Sequence, residues 1–104
     1  MRKTFDSELQ MLNLALIEMA SIAEEAIDLA IVSLEKRDNV AAATVLEKTN
    51  AMKEMEREIE HLCLKLLLSQ QPVAKDLRVV STALKMITDL ERIGAQARYS
   101  RNIP

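Results

Sequence analysis

The chain has 104 residues, a length suited to one domain, and 14 basic against 16 acidic residues give a net charge of −2. This balance excludes the strong basic excess typical of a dedicated nucleic-acid-binding protein. Apolar residues make up 49% of the chain, too large a share for intrinsic disorder. Only one Gly, one Tyr and one Phe are present, which disfavours an all-β fold. The abundance of Leu, Ala, Met, Glu and Lys instead predicts an all-helical protein.

The sequence also indicates a compartment. A single cysteine, Cys63, cannot form an intrachain disulfide and is typical of a reducing environment. Asp6 and Glu8 interrupt the apolar core that a signal peptide would need at the start of the chain. No uncharged run approaches the roughly 20 residues of a membrane span. These features predict a soluble, cytoplasmic protein.

Two interruptions divide the chain into three helices. At residues 36–39, basic residues close one helix, and Asp38 or Asn39 can cap the next by accepting hydrogen bonds from free backbone N–H groups. At residues 69–72, Pro72 fits the first turn of a third helix because it has no N–H to satisfy. Since both corners are short, consecutive helices must run antiparallel.

Apolar residues recur in each helix at steps of three and four, the spacing expected of a helical bundle. The seam residues, helix by helix, are Phe5, Leu9, Leu12, Leu16, Met19, Ala23, Ala26 and Ala30; Val45, Met52, Met55, Ile59, Leu62 and Leu66; and Val73, Leu77, Val80, Leu84 and Ile87. The pattern predicts an all-α, up-down-up antiparallel three-helix bundle, with residues 1–104 as one domain.

Helices 1 and 3 carry more apolar residues than the seams require. The additional ones are Leu14, Ile17, Ile22, Leu29, Ile31 and Val32 in helix 1, and Val79, Met86, Leu90 and Ile93 in helix 3. They form either a wide core with ordinary exposed aliphatic side chains or a second apolar face that docks another bundle. We favour the second interpretation because the apolar arcs are wide.

The residue types that usually carry catalysis are poorly placed. His61 and Cys63 lie two residues apart, about 200° around a helix, so the two side chains point away from each other. Glu58 and His61 have the Glu-x-x-His spacing of di-iron bundles, but one histidine cannot supply the second copy that such a site needs. The single glycine, Gly94, lies within helix 3, so no Gly-rich phosphate-binding loop is present. We expect no enzymatic activity.

Glu91 and Gly94 both fall on the predicted seam of helix 3. A carboxylate there must reach solvent or find a partner, and Arg78, Lys85 and Arg92 are the nearby basic candidates. Glycine within a helix costs about 1 kcal/mol relative to alanine. We therefore expect Gly94 to allow close approach of a neighbouring helix.

The most specific motifs lie between residues 56 and 94. They read Glu-Arg-Glu-Ile-Glu-His-Leu-Cys-Leu-Lys-Leu-Leu at 56–67, Gln-Gln-Pro-Val-Ala-Lys-Asp-Leu-Arg at 70–78, Leu-Lys-Met-Ile at 84–87 and Asp-Leu-Glu-Arg-Ile-Gly at 89–94. With the opening Met-Arg-Lys-Thr-Phe-Asp, they resemble the PhoU family, cytosolic regulators of phosphate uptake and signalling. The resemblance covers the whole chain. It implies a three-helix repeat that acts by protein–protein contact, as an adaptor between a phosphate ABC transporter, through its ATPase, and a sensor histidine kinase.

The resemblance further implies two tandem bundles, whereas this chain carries the first alone. It is either a natural single-repeat protein or a truncated one. The extra apolar arcs would then be the face that meets the second bundle, and a homodimer could cover them through an isologous contact.

The family also binds multinuclear iron or zinc clusters through E(D)xxxD motifs on helices 2 and 3. In this chain the first motif falls on Thr49 and Lys53, and the second on Glu91 and Ala95. Glu91 is the one carboxylate among them, and Lys53 puts an ammonium group where a cation would sit. We therefore predict that the cluster is absent, that no other cofactor is bound, and that Glu91 is a remnant ligand held by a basic neighbour.

For a partner, the candidate surface is the corner between helices 2 and 3 with part of helix 3. Its residues are Gln70, Gln71, Pro72, Lys75, Asp76, Arg78 and Arg92. Alternatively these residues only build the corner, with Asp76 favouring the helix N-terminus. We expect no nucleic-acid partner, and contact with a membrane only through partner proteins.

Two other functions stay open at this point. The chain could be a metal-binding carboxylate bundle with a storage or redox role, although the lost ligands argue against it. It could also be a generic helical interaction module whose apolar face binds another helix.

Overall fold

The computed structural model describes residues 2–69 and 72–100. These residues form three helices, α1 (Arg2–Lys36), α2 (Asn39–Leu68) and α3 (Ala74–Ser100). The helices pack side by side along a bundle 53 Å long. The predicted all-α three-helix bundle is confirmed. The prediction of one domain over residues 1–104 includes positions that lie outside the described residues.

Two salt bridges mark the antiparallel register of α1 and α2. Lys48 pairs with Glu25 at 2.6 Å, and Lys65 pairs with Glu8 at 3.3 Å. The two glutamates follow α1 in one direction while their lysine partners follow α2 in the other, as antiparallel helices require. Because each pair has one well-exposed partner, Glu25 in the first and Lys65 in the second, the pairs report the register more than they stabilise it.

The first corner is built by a left-handed residue followed by a cap. Arg37 has a φ angle of 50° just after α1 ends. The side chain of Asp38 then accepts hydrogen bonds from the backbone N–H groups of Val40 at 2.9 Å and Ala41 at 3.2 Å. The structure thus confirms a capped second helix and selects Asp38 over Asn39 as the cap.

The second corner ends slightly later than the sequence predicts. Pro72 precedes α3 rather than lying in its first turn, because the helix begins at Ala74. The buried side chain of Asp76 accepts a hydrogen bond from the Val73 N–H at 3.2 Å, which is one half of a capping box. This contact fixes where the helix begins.

The seams of α1 and α2 form the core as predicted. All their members are buried except Leu9, Met55 and Leu62, which are partly buried and pack against the core. Cys63 is also buried, and burial raises the pKa of its thiol, with a smaller contribution from the nearby Glu60 charge. His61 is exposed, as expected for its place on the helix.

The predicted seam of α3 is partly wrong. Val73, Leu77 and Leu84 are exposed, at 53%, 42% and 36% of their surface. The buried positions instead run through Asp76, Val80, Ala83, Ile87, Gly94 and Ala97. Several of these residues are small, so a pattern chosen by apolar size selects their larger neighbours. Helix packing prefers the small ones because they let α3 approach the other two helices closely.

The extra apolar arcs divide into two groups. Ile22, Leu29, Val32, Val79, Leu90 and Ile93 are partly buried and widen the core. Leu14, Ile17, Ile31 and Met86 stay exposed, at 59%, 66%, 48% and 40%. The outer surface of α1 therefore retains an apolar stripe that the bundle itself does not cover. Within the described residues, no helix holds a stretch long and apolar enough to span a bilayer.

Candidate functional site

A cavity of about 400 Å³ opens between α2 and α3. Its lining residues are Thr49, Met52 and Lys53 from α2, and Glu91, Gly94, Ala95, Arg98 and Tyr99 from α3. All four positions to which the family's metal motifs were assigned are among them. We call this space the α2–α3 cavity.

Helical spacing explains why these side chains share one cavity. On α3, Glu91, Ala95 and Arg98 are separated by steps of four and three, which places them on one face. On α2, Thr49 and Lys53 are four residues apart. Arg98 and Tyr99 are not among the predicted site residues, although the helical step from Glu91 through Ala95 leads directly to Arg98.

Gly94 on α3 faces the side chain of Met52 on α2 at the cavity wall. A Cβ atom added there would lie 3.1 Å from both Cε and Sδ of Met52, and 3.9 Å from Cγ2 of Thr49. The first two separations are tighter than ordinary van der Waals contact. A neighbouring helix thus packs its side chains directly against Gly94, in line with the expectation for this residue.

The residues at the assigned metal positions do not fit a multinuclear cluster. Thr49 is buried and its hydroxyl donates a hydrogen bond to the carbonyl oxygen of Leu46 at 3.0 Å. Lys53 brings a positive charge, and Ala95 has no ligand atom. Over residues 2–69 and 72–100, no group of three or more His, Cys, Asp or Glu side chains is placed to hold a metal ion. The absence of the cluster stays a prediction.

Glu91 is held differently from the prediction. It is exposed, and the core at this level of α3 continues through Leu90 and Gly94. Its carboxyl group hydrogen-bonds to the carboxyl group of Glu56 on α2. The prediction of a basic neighbour as its partner is wrong, because α2 brings another acid to this place.

The carboxyl group of Glu56 keeps its proton to a higher pH than an ordinary glutamate does. The pKa of Glu56 rises from 4.5 to about 7, first because the side chain is partly buried, and then through the hydrogen bond and negative charge of Glu91. The charge of Glu60 raises this pKa further, and that of Arg57 lowers it. Below this pKa, the proton on Glu56 lowers the negative charge beside the cavity.

The cavity also holds two cationic groups. Lys53 is exposed and Arg98 is half-buried. Neither forms an ion pair with another described residue. With Glu91 as the acidic group of the lining, the side chains around the cavity carry a net positive charge.

A second groove lies between α1 and α3 and has a volume of about 310 Å³. It is lined by Asn13 and Leu16 from α1, and by Lys75, Arg78, Val79, Thr82, Ala83 and Met86 from α3. Two of the predicted partner-binding residues, Lys75 and Arg78, therefore border one apolar groove near the start of α3. We call it the α1–α3 groove.

The other partner-binding candidates have different positions. Asp76 is 2% exposed and contributes to the helix cap, which favours the alternative that it builds the corner. Arg92 is exposed but is not part of the groove lining, and Pro72 is partly buried at the corner. Gln70 and Gln71 lie outside the described residues.

Comparison with known proteins supplies the family. The model of the PhoU domain matches residues 16–100, which is most of the chain. The chain belongs to the PhoU family. This confirms the resemblance given by its motifs.

Similar proteins occur in distant bacteria. A phosphate-specific transport system accessory protein PhoU homologue of Clostridium acetobutylicum is 41% identical over 97 residues, covering 92% of this chain and 44% of its own length. PhoU homologue 1 of Thermotoga maritima is 37% identical over 90 residues, covering 86% and 39%. The PhoU accessory protein of Escherichia coli is 32% identical over 90 residues, covering 86% and 37%. This PhoU-family chain thus spans less than half the length of these relatives. No solved structure matches it.

Proposed function

We propose that this PhoU-family chain is a non-catalytic regulator of phosphate uptake and phosphate-starvation signalling. In this role it is an adaptor between the ATPase of a phosphate ABC transporter and a sensor histidine kinase. The observation that carries the proposal is the 41% identity to a protein named as an accessory of a phosphate-specific transport system. An accessory role needs surfaces for other proteins, and the bundle offers two.

The first surface is the α1–α3 groove. Leu16, Val79 and Met86 give it an apolar floor, while Lys75 and Arg78 add positive charge at one end. Both cations lie in the first turns of α3, where the positive end of the helix dipole adds to their field. An amphipathic segment with acidic residues at one end complements this surface. We assign the groove to contact with the transporter ATPase or the kinase.

The second surface is the exposed apolar stripe of α1. Leu14 and Ile17 lie near its start, and Ile27, Ile31 and Leu34 follow at steps of four and three residues nearer its end; each of the five is at least 39% exposed. Isolated aliphatic side chains at a surface are common, but a stripe of this length is typical of an interface. We propose that a second copy of the chain covers it in a homodimer.

The adaptor role is tested by co-purification. The tagged chain is expressed with the phosphate-transporter ATPase and the phosphate-sensing kinase of its own genome, and captured at high and at low phosphate. We expect one of the two to co-purify, with a yield that depends on phosphate. Capture of neither by the folded chain would overturn the proposal. Capture independent of phosphate would favour the generic helical interaction module.

Matched variants assign the groove. Arg78→Ala and Lys75→Ala should reduce capture while leaving the helical circular dichroism unchanged, since both side chains are exposed. Lys36→Ala removes an exposed lysine at the far end of α1 and should leave capture intact. Equal capture by all three variants would contradict the groove assignment.

The homodimer is tested separately by light scattering. A dimer has twice the 11.7 kDa mass of the chain. Ile17→Glu places a charge in the exposed stripe, so it should produce a monomer without loss of helix. A wild-type chain that stays monomeric at high concentration would exclude the dimer.

A further inference from the structure

We propose that the α2–α3 cavity binds a small phosphate-bearing anion, with Lys53 and Arg98 as the groups that hold the phosphate. The position that the family uses for cations would then serve an anion in this chain. This inference does not depend on the adaptor role, because it concerns direct binding to the purified chain.

The charges of the lining carry the inference. Lys53 from α2 and Arg98 from α3 approach one cavity from opposite walls, and neither is neutralised by a described acidic partner. Two cations match the charge of a phosphate dianion better than that of a carboxylate. A guanidinium group can in addition bind two phosphate oxygens at once.

The acidic group of the lining does not cancel this field. The carboxyl group of Glu91 is hydrogen-bonded to that of Glu56. Because the pKa of Glu56 is raised to about 7, first by burial and then by Glu91, the proton on Glu56 leaves the pair with less than its full negative charge below that pH. The cavity disfavours a cation, since its lining holds an ammonium and a guanidinium group.

The size and walls of the cavity indicate more than a bare ion. Its volume of about 400 Å³ lies in the range of small-molecule sites. Met52, Gly94 and Ala95 offer apolar surface, and the ring of Tyr99 stands at its edge. A phosphate group attached to a small apolar or aromatic body fills this space better than inorganic phosphate does. We therefore expect a phosphate monoester to bind more tightly than the free ion.

The test is a titration of the ¹⁵N-labelled chain followed by NMR at low ionic strength. Phenyl phosphate, inorganic phosphate, benzoate and phenol are added separately, to millimolar concentration. Phenyl phosphate should shift the amide signals of residues 49–53 and 91–98 and bind more tightly than inorganic phosphate, with benzoate weaker and phenol silent. Equal affinity for phenyl phosphate and inorganic phosphate would overturn the expected preference for a phosphate ester and leave the free ion as the ligand. No shift with either phosphate would overturn the site.

Variants localise the binding. Lys53→Ala and Arg98→Ala should each weaken the binding of phenyl phosphate by about tenfold, the usual effect of losing one charge-assisted hydrogen bond. Lys85→Ala removes an exposed α3 lysine outside the cavity lining and should bind as the wild type does. Unchanged binding by the Lys53→Ala, Arg98→Ala double variant would overturn the proposal.

A metal titration tests whether the cavity binds a cation instead of an anion. Zn²⁺ and Mg²⁺ are added to the same labelled chain without phosphate. Signals at the cavity should stay in place. A stoichiometric metal-induced shift at residues 49–53 and 91–98 would mean that the cavity kept a cation site. If the cavity does not bind phosphate compounds, the adaptor proposal is unaffected, since that proposal is tested by protein capture.

Discussion

Glu56 on α2 and Glu91 on α3 hydrogen-bond to each other through their carboxyl groups. One of the two must hold a proton for this bond to form, because two carboxylates have no donor between them. Their meeting depends on the antiparallel packing of α2 and α3, in which residue numbers rise in opposite directions. Burial of Glu56, and after it the hydrogen bond and charge of Glu91, raise the pKa of Glu56 to about 7 in the folded chain.

This pair predicts that stability falls between about pH 4.5 and 7. Because the pKa of Glu56 is raised on folding, the folded state binds its proton more tightly than the unfolded state does. The resulting stabilisation is complete below the ordinary value of 4.5 and is lost as the pH rises through about 7. Glu56→Gln should therefore flatten the difference in melting temperature measured between pH 5 and pH 8.

Glu47→Gln is the matched control, since Glu47 is an exposed glutamate of the same helix. It should keep the pH dependence of the wild type. Glu91→Gln should reduce the pH dependence by a smaller amount, because it removes the charge of Glu91 but leaves the burial that raises the pKa of Glu56 most. A Glu56→Gln variant with the full wild-type dependence would place the titrating group elsewhere.

The contact at Gly94 predicts that the free energy of unfolding depends sharply on the size of the side chain at this position. In Gly94→Ala, the new Cβ meets the flexible end of Met52, and the alanine gains about 1 kcal/mol of helix propensity. These effects oppose each other, so the free energy of unfolding should stay within about 1 kcal/mol of the wild type. Gly94→Val adds two methyl groups at the same contact and should lower it by about 1–3 kcal/mol.

Urea unfolding measures both Gly94 variants. Ala95→Val on the adjacent exposed position controls for the poor helix propensity of valine. If Gly94→Val and Ala95→Val cost the same, the close approach of α2 at Gly94 does not limit the size of this residue.

The caps of α2 and α3 predict that the chain loses stability when a capping side chain is replaced by alanine. Asp38→Ala removes the acceptor of two backbone hydrogen bonds and should cost about 1 kcal/mol. Asn39→Ala, one residue later and exposed, should change little. Asp76→Ala should cost at least as much as Asp38→Ala, because the side chain is buried as well as bonded to Val73. Thermal unfolding by circular dichroism compares the three variants.

Arg37 predicts that a glycine stabilises the first corner. Its φ angle of 50° is unfavourable for a residue with a Cβ, by roughly 1 kcal/mol. Arg37→Gly should therefore raise the free energy of unfolding by about 0.5 kcal/mol, after the larger entropy of glycine in the unfolded chain is subtracted. Lys36→Gly, on the last helical residue, should have the opposite sign. A lower melting temperature for Arg37→Gly would show that the φ angle of Arg37 does not destabilise the folded chain.

The sequence by itself determined the helices, their corners and the family. Local signals were sufficient for this, because a cap such as Asp38 and the three-to-four spacing of apolar residues act within one helix. The same spacing predicted that Gly94 lies at a close contact. The seam of α3 was the exception, since the small residues Ala83 and Ala97 are buried in place of larger neighbours.

Only the tertiary structure decided what meets across the helices. Nothing in the sequence near Glu91 indicates that its partner is Glu56 rather than a basic residue, because the pairing depends on the register between α2 and α3. The gathering of Lys53 and Arg98 around one cavity has the same origin. Side chains 35 or 45 residues apart in the chain become neighbours when apolar burial fixes how two helices slide and rotate against each other.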